Sequence, residues 1–266
     1  MSGTYLDSIL AAKRAELSGA RAGRSATLSD SELADLGARL PPARDFIGSL
    51  RGQRQKPAFI AEFKRASPSA GTLREDADPR TIATHYAAAG AAAMSVLCDR
   101  HFQGSFEDLR EVRQAVTLPL LCKDFILERW QIVEAKRTGA DAILLIAAAL
   151  EAPLLRQLII FAHDLGMQVL CETHDAHEVD RAMAAGARLI GVNARDLRTF
   201  ETDLQVCVDL RAVVPAGFTY VAESGVNSVE DAKKLADAGV DAILVGSYLM
   251  RAESPGDALR ELVQSV

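Results

Sequence analysis

The sequence predicts an α/β fold in which eight strand–helix units close into a single (β/α)8 TIM barrel, residues 46–266, behind an N-terminal helical extension, residues 1–45. Short apolar strands alternate with amphipathic helices from residue 57 onward, and glycine precedes several strands, where a helix ends in a left-handed cap. One such unit, Gly-Ala-Asp-Ala-Ile-Leu from Gly139, is echoed from Gly239. The 266 residues, 49% of them hydrophobic, suit one barrel and its core.

The N-terminal extension is predicted to contain two helices. The first, residues 5–17, has an apolar stripe on one face and charged residues, Lys13 among them, on the other. A capping-box pattern at residues 29–32 starts the second helix, and Pro41-Pro42 interrupts the chain before the barrel. The apolar stripe needs a surface that covers it. The open rim of the barrel, where the helix would exclude water, and the helical flank are the two surfaces available, and the family resemblance described below favours the rim.

Eight strands are predicted, each followed by a helical stretch. They are residues 57–63, 93–97, 118–122, 142–146, 167–171, 189–192, 218–222 and 242–245. Right-handed units in this number close most naturally into a barrel of parallel strands. A doubly wound open sheet is the alternative, but no glycine-rich dinucleotide fingerprint follows the first strand.

The first predicted strand ends in two opposite charges. One residue separates Glu62 from Lys64, so both side chains point to the same side as Ala58 and Ile60. Both faces of this strand are apolar, as in a parallel sheet that helices cover. The two charges therefore either form a structural ion pair or take part in chemistry.

Polar and ionisable residues also follow nearly all of the remaining predicted strands. The carboxyl ends of the strands form one rim of a barrel, and active sites of this fold lie there. The residues at these positions are Glu62, Lys64, Cys98, Asp99, Lys123, Glu172, Asn193, Arg195, Glu223, Ser224, Gly246 and Ser247. Because buried charges are retained when they are paired or used, this convergence predicts an active site.

The loops after the last two strands predict a phosphate site. Residues 223–225 read Glu-Ser-Gly, and residues 245–247 read Val-Gly-Ser. Barrels bind phosphate at this place through backbone amides and hydroxyls near a helix start. The two loops together predict a phosphorylated small-molecule substrate.

Composition narrows the class of partner. With a net charge of −6 and scattered basic residues, neither nucleic acid nor a membrane surface is an expected partner. The chain starts without a secretory pattern, and its longest apolar run, residues 142–150, is too short to span a bilayer. We expect a cytoplasmic protein that is a monomer or a weak homodimer.

No metal site is expected from the cysteines or histidines. The four cysteines are far apart and are interpreted as reduced, buried side chains. His174 and His177 are spaced by three residues beside Asp175 and Glu178, which indicates a solvated first helical turn rather than a pair of metal ligands.

Six stretches of the barrel form an ordered set of motifs. They are Ile-Ala-Glu-Phe-Lys-Arg-Ala-Ser-Pro-Ser (60–69), Phe-Gln-Gly-Ser (102–105), Cys-Lys-Asp-Phe-Ile-Leu (122–127), Val-Leu-Cys-Glu-Thr-His (169–174), Ile-Gly-Val-Asn-Ala-Arg-Asp-Leu (190–197) and Ala-Glu-Ser-Gly-Val (222–226). This set resembles the indole-3-glycerol-phosphate synthase family of tryptophan biosynthesis, in which threonine is common where this chain has Cys98. The resemblance implies an enzyme that converts 1-(2-carboxyphenylamino)-1-deoxyribulose 5-phosphate into indole-3-glycerol phosphate, losing carbon dioxide and water, without a cofactor.

The resemblance also implies catalytic roles. Lys123 matches the general acid that protonates the ketone oxygen during ring closure. Lys64 matches a second lysine that holds the anionic substrate and serves as an acid in dehydration. Glu172 matches the residue with acid–base duty, which Glu62 shares.

The remaining matches are substrate contacts. Asn193 and Glu223 match groups that bind and orient hydroxyls, and Arg195 matches a group near the substrate carboxylate. Phe102 and Phe125 match aromatic residues of the anthranilate pocket. The residues that match the phosphate and substrate loops are Ser67, Ser224, Gly225, Gly246 and Ser247.

Two other functions are weighed against this one. Phosphoribosylanthranilate isomerase is also a phosphate-binding barrel, but it uses an acid and a thiol, and no cysteine is placed for that role at the first strand. A non-catalytic barrel that binds a sugar phosphate would be expected to lack one of Lys64, Lys123 or Glu172, and all three are present.

Overall fold

The strands of this protein close into the predicted barrel. The structure is a computed structural model that describes residues 5–22, 28–67, 71–196 and 201–266. Eight parallel strands of these residues pair with their neighbours in sequence, and β1 also pairs with β8. They are β1 (Ala58–Phe63), β2 (Ala93–Leu97), β3 (Leu120–Lys123), β4 (Ala142–Ile146), β5 (Gln168–Thr173), β6 (Leu189–Asn193), β7 (Thr219–Glu223) and β8 (Ala242–Val245). Each lies within two residues of its predicted bounds, so the predicted fold class is confirmed.

Most of the α-helices cover the outside of the barrel, and two lie at its ends. Those in the described residues are α1 (Tyr5–Ala22), α2 (Asp30–Ala38), α3 (Phe46–Arg51), α4 (Pro79–Ala88), α5 (Phe106–Ala115), α6 (Arg129–Thr138), α7 (Ala152–Asp164), α8 (Ala176–Ala185), α9 (Leu204–Arg211), α10 (Val229–Asp237), α11 (Ser247–Arg251) and α12 (Pro255–Ser265). None of these helices combines the length and the apolar character that a membrane crossing requires.

Alternation along β1 divides its side chains between two cores. Phe59 and Phe63 pack between the strands and the outer helices. Ala58 and Ile60 belong to a separate apolar cluster inside the barrel. Side chains alternate along a strand, so Glu62 points into the barrel with Ala58 and Ile60, as predicted.

Helix α3 closes the amino-terminal end of the barrel. Its side chains Phe46 and Leu50 are fully buried and join the interior cluster with Ala58 and Ala93, the first residues of β1 and β2. The sequence did not predict this helix, because six residues are too few to reveal a helical repeat. The barrel interior is therefore closed at one end and can open only at the other.

The two helices of the extension take different places. Tyr5, Leu6 and Ile9 of α1 line a cavity at the carboxyl ends of the strands, so the expected position at the rim holds for α1. Helix α2 starts at the predicted capping box of Ser29 and packs on the flank against α6. The Lys136 ammonium of α6 donates hydrogen bonds to two backbone carbonyls. These are Gly37 in the last turn of α2 and Leu165 directly after α7.

One prediction about α1 is wrong. Lys13 does not lie on the face opposite the apolar stripe: it is buried and forms ion pairs with Asp99 and Asp124. These aspartates follow β2 and β3, so α1 is tied to the rim by charge as well as by its apolar stripe. Lys13 follows Ile9 by four residues and precedes Leu17 by four, so the helical repeat itself places Lys13 on the buried face of α1 with these two apolar residues.

Candidate active site

The residues predicted as catalytic or as substrate contacts all line one cavity at the open end of the barrel. Helix α1 forms part of its wall, and the strand ends form its floor. The predicted residues brought together there are Glu62, Lys64, Ser67, Phe102, Lys123, Phe125, Glu172, Asn193, Arg195, Glu223, Ser224, Gly225, Gly246 and Ser247.

Four charged residues come from alternate strands of the barrel. Glu62, Lys123, Glu172 and Glu223 stand at the ends of β1, β3, β5 and β7. The residues two positions earlier are apolar members of the interior cluster, namely Ile60, Leu121, Leu170 and Val221. Alternate strands supply the side chains of one layer in this fold. A charged layer therefore lies directly on an apolar one, and this layer is the floor of the cavity.

The Lys123 ammonium lies between two carboxylates. Its Nζ is 2.7 Å from Oε2 of Glu223 and 3.3 Å from Oε2 of Glu172. Both glutamates are almost fully buried. Burial alone would lower the pKa of Lys123, but the charges of Glu223, Glu172 and Glu62 outweigh it, so the pKa is raised well above its ordinary value. Lys123 is therefore an ammonium at neutral pH.

The two carboxylates differ in their other contacts. Burial alone would raise the pKa of Glu172. The charges of Lys123 and His174 and a hydrogen bond from Asn193 outweigh burial, so the pKa is lowered. Burial dominates at Glu223 and, with the repulsion of Glu172 and Glu62, raises its pKa to about 7 despite Lys123. Oε1 of Glu223 has no hydrogen-bond partner among the described residues. At neutral pH Glu172 is thus an anion, whereas Glu223 can hold a proton.

Glu62, at the floor of the cavity, forms an ion pair with Lys64. Their charged atoms, Oε2 and Nζ, are 2.5 Å apart, so the ion pair that the sequence left open does exist. The hydroxyl of Ser95 is within 3.4 Å of the other carboxylate oxygen. Gly246 leaves room for this pair, because a Cβ there would lie 2.3 Å from Oε2 of Glu62.

Asn193 connects Glu172 to the loop after β6. Its Nδ2 donates to Oε1 of Glu172 at 3.1 Å, and its Oδ1 accepts from the backbone N–H of Arg195 at 3.0 Å. The backbone of Arg195 also pairs with that of Thr202 in an isolated antiparallel β-bridge, and both residues line the cavity. The amide of Asn193 thereby fixes the orientation of the Glu172 carboxylate.

An aromatic wall, Phe102 and Phe125, stands on the side of the cavity that faces α1. The two rings are stacked with their centroids 6.2 Å apart. Ile9 of α1 and Leu97 pack against the same rings. This wall offers an apolar surface for a flat ring beside the charged floor.

The two predicted phosphate loops lie side by side, since β7 and β8 are neighbours in the barrel. After β7, Ser224 and Gly225 both have left-handed backbones, with φ of 65° and 87°. This conformation is unusual for a residue with a side chain such as Ser224. After β8, Gly246 is the N-cap of α11, which begins at Ser247. Backbone N–H groups at such a helix start are available to an anion.

His174 is not the solvated residue that the sequence indicated. Its ring is mostly buried, with Nδ1 3.2 Å from Glu178 and Nε2 3.6 Å from Oε1 of Glu172. Burial would lower the pKa of His174, but the hydrogen bond to Glu178 and the charges of Glu172, Glu178 and Glu223 raise it. Strand alternation could have found this contact, because His174 follows Glu172 by two residues.

Two other expectations concern metals and cysteines. The four cysteines are free and buried, which confirms their interpretation as buried side chains. Within the described ranges, no group of three or more His, Cys, Asp or Glu side chains is placed to hold a metal ion.

Comparisons with solved structures show the fold. The 3-hexulose-6-phosphate synthase of Salmonella typhimurium superposes with a TM-score of 0.64 at 14% identity, over 78% of this chain and 97% of that one. Thiamine phosphate pyrophosphorylase of Pyrococcus furiosus superposes with a TM-score of 0.61 at 17% identity, over 83% of this chain and 97% of that one. Identities this low carry no argument about function.

Comparisons of sequence show the family. A family model described as indole-3-glycerol phosphate synthase matches residues 6–262. Proteins with that name from Burkholderia vietnamiensis and Burkholderia cenocepacia are 49% and 48% identical to this chain over 260 residues. Each alignment covers 97% of this chain and 98% of the relative. With its motifs, its barrel and these matches in agreement, the chain belongs to the indole-3-glycerol phosphate synthase family.

Proposed function

We propose that the charged floor of the cavity converts 1-(2-carboxyphenylamino)-1-deoxyribulose 5-phosphate into indole-3-glycerol phosphate, which is the lyase reaction of the family. The observation that carries this assignment is the Lys123 ammonium, which lies between Glu172 and Glu223 at the bottom of a cavity with one aromatic wall. The reaction is a ring closure, a decarboxylation and a dehydration, so its steps move protons and release neutral molecules.

Ring closure needs an acid at the ketone of the sugar. The aromatic carbon that bears the carboxylate attacks the ketone carbon, and the ketone oxygen becomes negative as its π bond breaks. Lys123 gives that oxygen a proton, which is the role the resemblance implies. Because Glu223 is 2.7 Å from Nζ and has a pKa of about 7, it can return a proton to Lys123.

Decarboxylation and dehydration complete the reaction. The electrons of the bond to the carboxylate return to the ring and restore its aromaticity as carbon dioxide leaves. The new hydroxyl then departs as water with a proton from Lys64, while Glu172 removes a proton near the anilino nitrogen. Glu62 shares the acid–base work through its ion pair with Lys64. Asn193 keeps Glu172 oriented for this step.

The rest of the cavity binds the substrate. The anthranilate ring lies against Phe102 and Phe125, whose faces are stacked beside the floor. Arg195 contacts the substrate carboxylate. The terminal phosphate lies on the loops after β7 and β8, and the residues assigned to the phosphate and the sugar chain are Ser67, Ser224, Gly225, Gly246 and Ser247.

A cytoplasmic location is part of this proposal. The substrate carries a phosphate and a carboxylate and so does not cross a lipid bilayer unaided. Nucleic acid and membrane surfaces have no role in the proposed reaction.

The direct test of this function is turnover of the synthetic substrate, followed by the fluorescence of the indole product. Lys123→Ala should lower kcat by about 10²–10⁴, because it removes general acid catalysis. Lys233→Ala, at an exposed lysine outside the cavity, is the control and should leave kcat unchanged. A Lys123→Ala variant that keeps more than about half of wild-type turnover would show that Lys123 is not the general acid.

The phosphate loops are tested with Ser247→Asp. A carboxylate at the start of α11 should repel an anion, so inorganic phosphate should lose most of its competitive inhibition and the KM should rise. Ser247→Ala is the control, since it keeps the backbone amides. Gly246 is less suitable, because any side chain there meets Glu62. If phosphate inhibits Ser247→Asp as strongly as the wild type, the phosphate site lies elsewhere.

The contact of His174 with Glu172 predicts a change in pH dependence. A charged imidazole lowers the pKa of Glu172, so His174→Gln should raise that pKa. A general base works only when deprotonated, and the acidic limb of the kcat/KM profile should therefore move to higher pH. His177→Gln, on the exposed side of the same turn, should leave the profile unchanged. An unshifted acidic limb in His174→Gln would remove either His174 or Glu172 from this scheme.

A further inference from the structure

Lys13 of α1 is a buried cation that the chemistry described so far does not use. Its Nζ lies 2.9 Å from Oδ2 of Asp99 and 2.5 Å from Oδ1 of Asp124. The lysine is only 3% exposed, and the aspartates are 1% and 4% exposed. Burial of three charges is costly unless each is paired, so their contact is not an incidental surface ion pair.

Each aspartate also shapes the loop that carries one ring of the aromatic wall. Asp99 accepts a hydrogen bond from the backbone N–H of His101 at 2.8 Å and caps the short turn that ends at Phe102. Asp124 accepts from the backbone N–H of Phe125 at 2.7 Å. It is also the residue directly after Lys123. A single ammonium on α1 therefore holds both loops of the wall.

The apolar contacts of α1 end at the same place. Ile9 packs with Leu97 and Phe102, one helical turn from Lys13, and Tyr5 and Leu6 continue the helix along the cavity. The position of these three side chains therefore depends on how α1 is fastened to the rim.

The ion pairs of Lys13 with Asp99 and Asp124 are stable at neutral pH. Burial would lower the pKa of Lys13, but Asp124 and Asp99 outweigh it, so Lys13 stays charged at neutral pH. Burial, together with the nearby charge of Asp99, raises the pKa of Asp124 to about 6 in spite of Lys13. His101 adds a second partner to Asp99, with Nδ1 2.7 Å from Oδ1.

We propose that Lys13 is a positioning residue for the reaction. Its ammonium fastens α1 across the rim, where it fixes Ile9 against the aromatic wall and holds the segment from Lys123 to Phe125 in place. The substrate ring then binds against the aromatic wall, beside the part of α1 that lines the cavity. This inference rests on the proposed function for its kinetic consequence, but the fastening of α1 is a property of the protein without substrate.

Two variants separate this role from a general effect on stability. Lys13→Met removes the ammonium and leaves two buried carboxylates without their partner, which destabilises the surrounding structure. The double variant Lys13→Met/Asp124→Asn leaves one buried carboxylate, Asp99, which keeps its contact with His101, and an asparagine oxygen can still accept from the N–H of Phe125. Arg14→Met, at an exposed position of the same helix, is the matched control.

Three measurements are made on the full-length protein: melting temperature, hydrogen–deuterium exchange and steady-state kinetics. The double variant should melt near the wild type but exchange the amides of α1 faster, with the barrel strands unchanged. Its KM should be raised about tenfold or more, because the site for the substrate ring has lost the surface that α1 provides. Arg14→Met should match the wild type in all three.

Two results would overturn the inference. If the double variant recovers both wild-type exchange in α1 and wild-type KM, Lys13 serves only to neutralise the aspartates. If α1 exchanges faster but KM is unchanged, α1 takes no part in binding the ring. A wild-type protein that does not turn over the synthetic substrate would instead refute the proposed function, and the exchange measurement would still test the fastening of α1.

Discussion

The site depends on one interaction, the placement of the Lys123 ammonium between Glu172 and Glu223 inside a closed barrel. A charge buried alone in this position would be too costly, and so would either carboxylate. The three charges stabilise one another. The two carboxylates have different surroundings, so their pKa values differ. Asn193 and His174 support the anion at Glu172, whereas burial favours a proton at Glu223.

The barrel makes this arrangement possible by geometry. Alternate strands deliver their last inward residues to one layer, and an apolar layer beneath keeps water away from its lower side. Small residues create the space: a Cβ at Gly191 would lie 2.0 Å from Oε1 of Glu223. Helix α3 closes the amino-terminal end of the interior, and α1 covers part of the rim. The charged layer consequently faces a single cavity.

Short-range pattern was enough to predict the eight strands, the position of the rim and the convergence of Glu62, Lys123, Glu172 and Glu223, because alternation and glycine caps are local signals. Contacts between distant segments were not predictable in this way. The spacing of Lys13 from Ile9 and Leu17 places it on the apolar face of α1, but its partners lie 86 and 111 residues away in the chain and could not be predicted from that spacing. The helical spacing of His174 to His177 indicates a solvated turn, but His174 follows Glu172 by two residues at the end of β5 and so faces the same side. Helix α3 was too short to show a period.

The most direct measurement is a pH titration of the glutamate carboxyl carbons by NMR in the wild-type protein, with Glu172→Gln and Glu223→Gln used for assignment. Glu223 should titrate at a pKa of about 7, and Glu172 should titrate below the ordinary value of 4.5. Their separation is the signature of one ammonium shared by two unequal carboxylates. If both titrate near 4.5, or if Glu172 has the higher pKa, the division of roles between them is wrong.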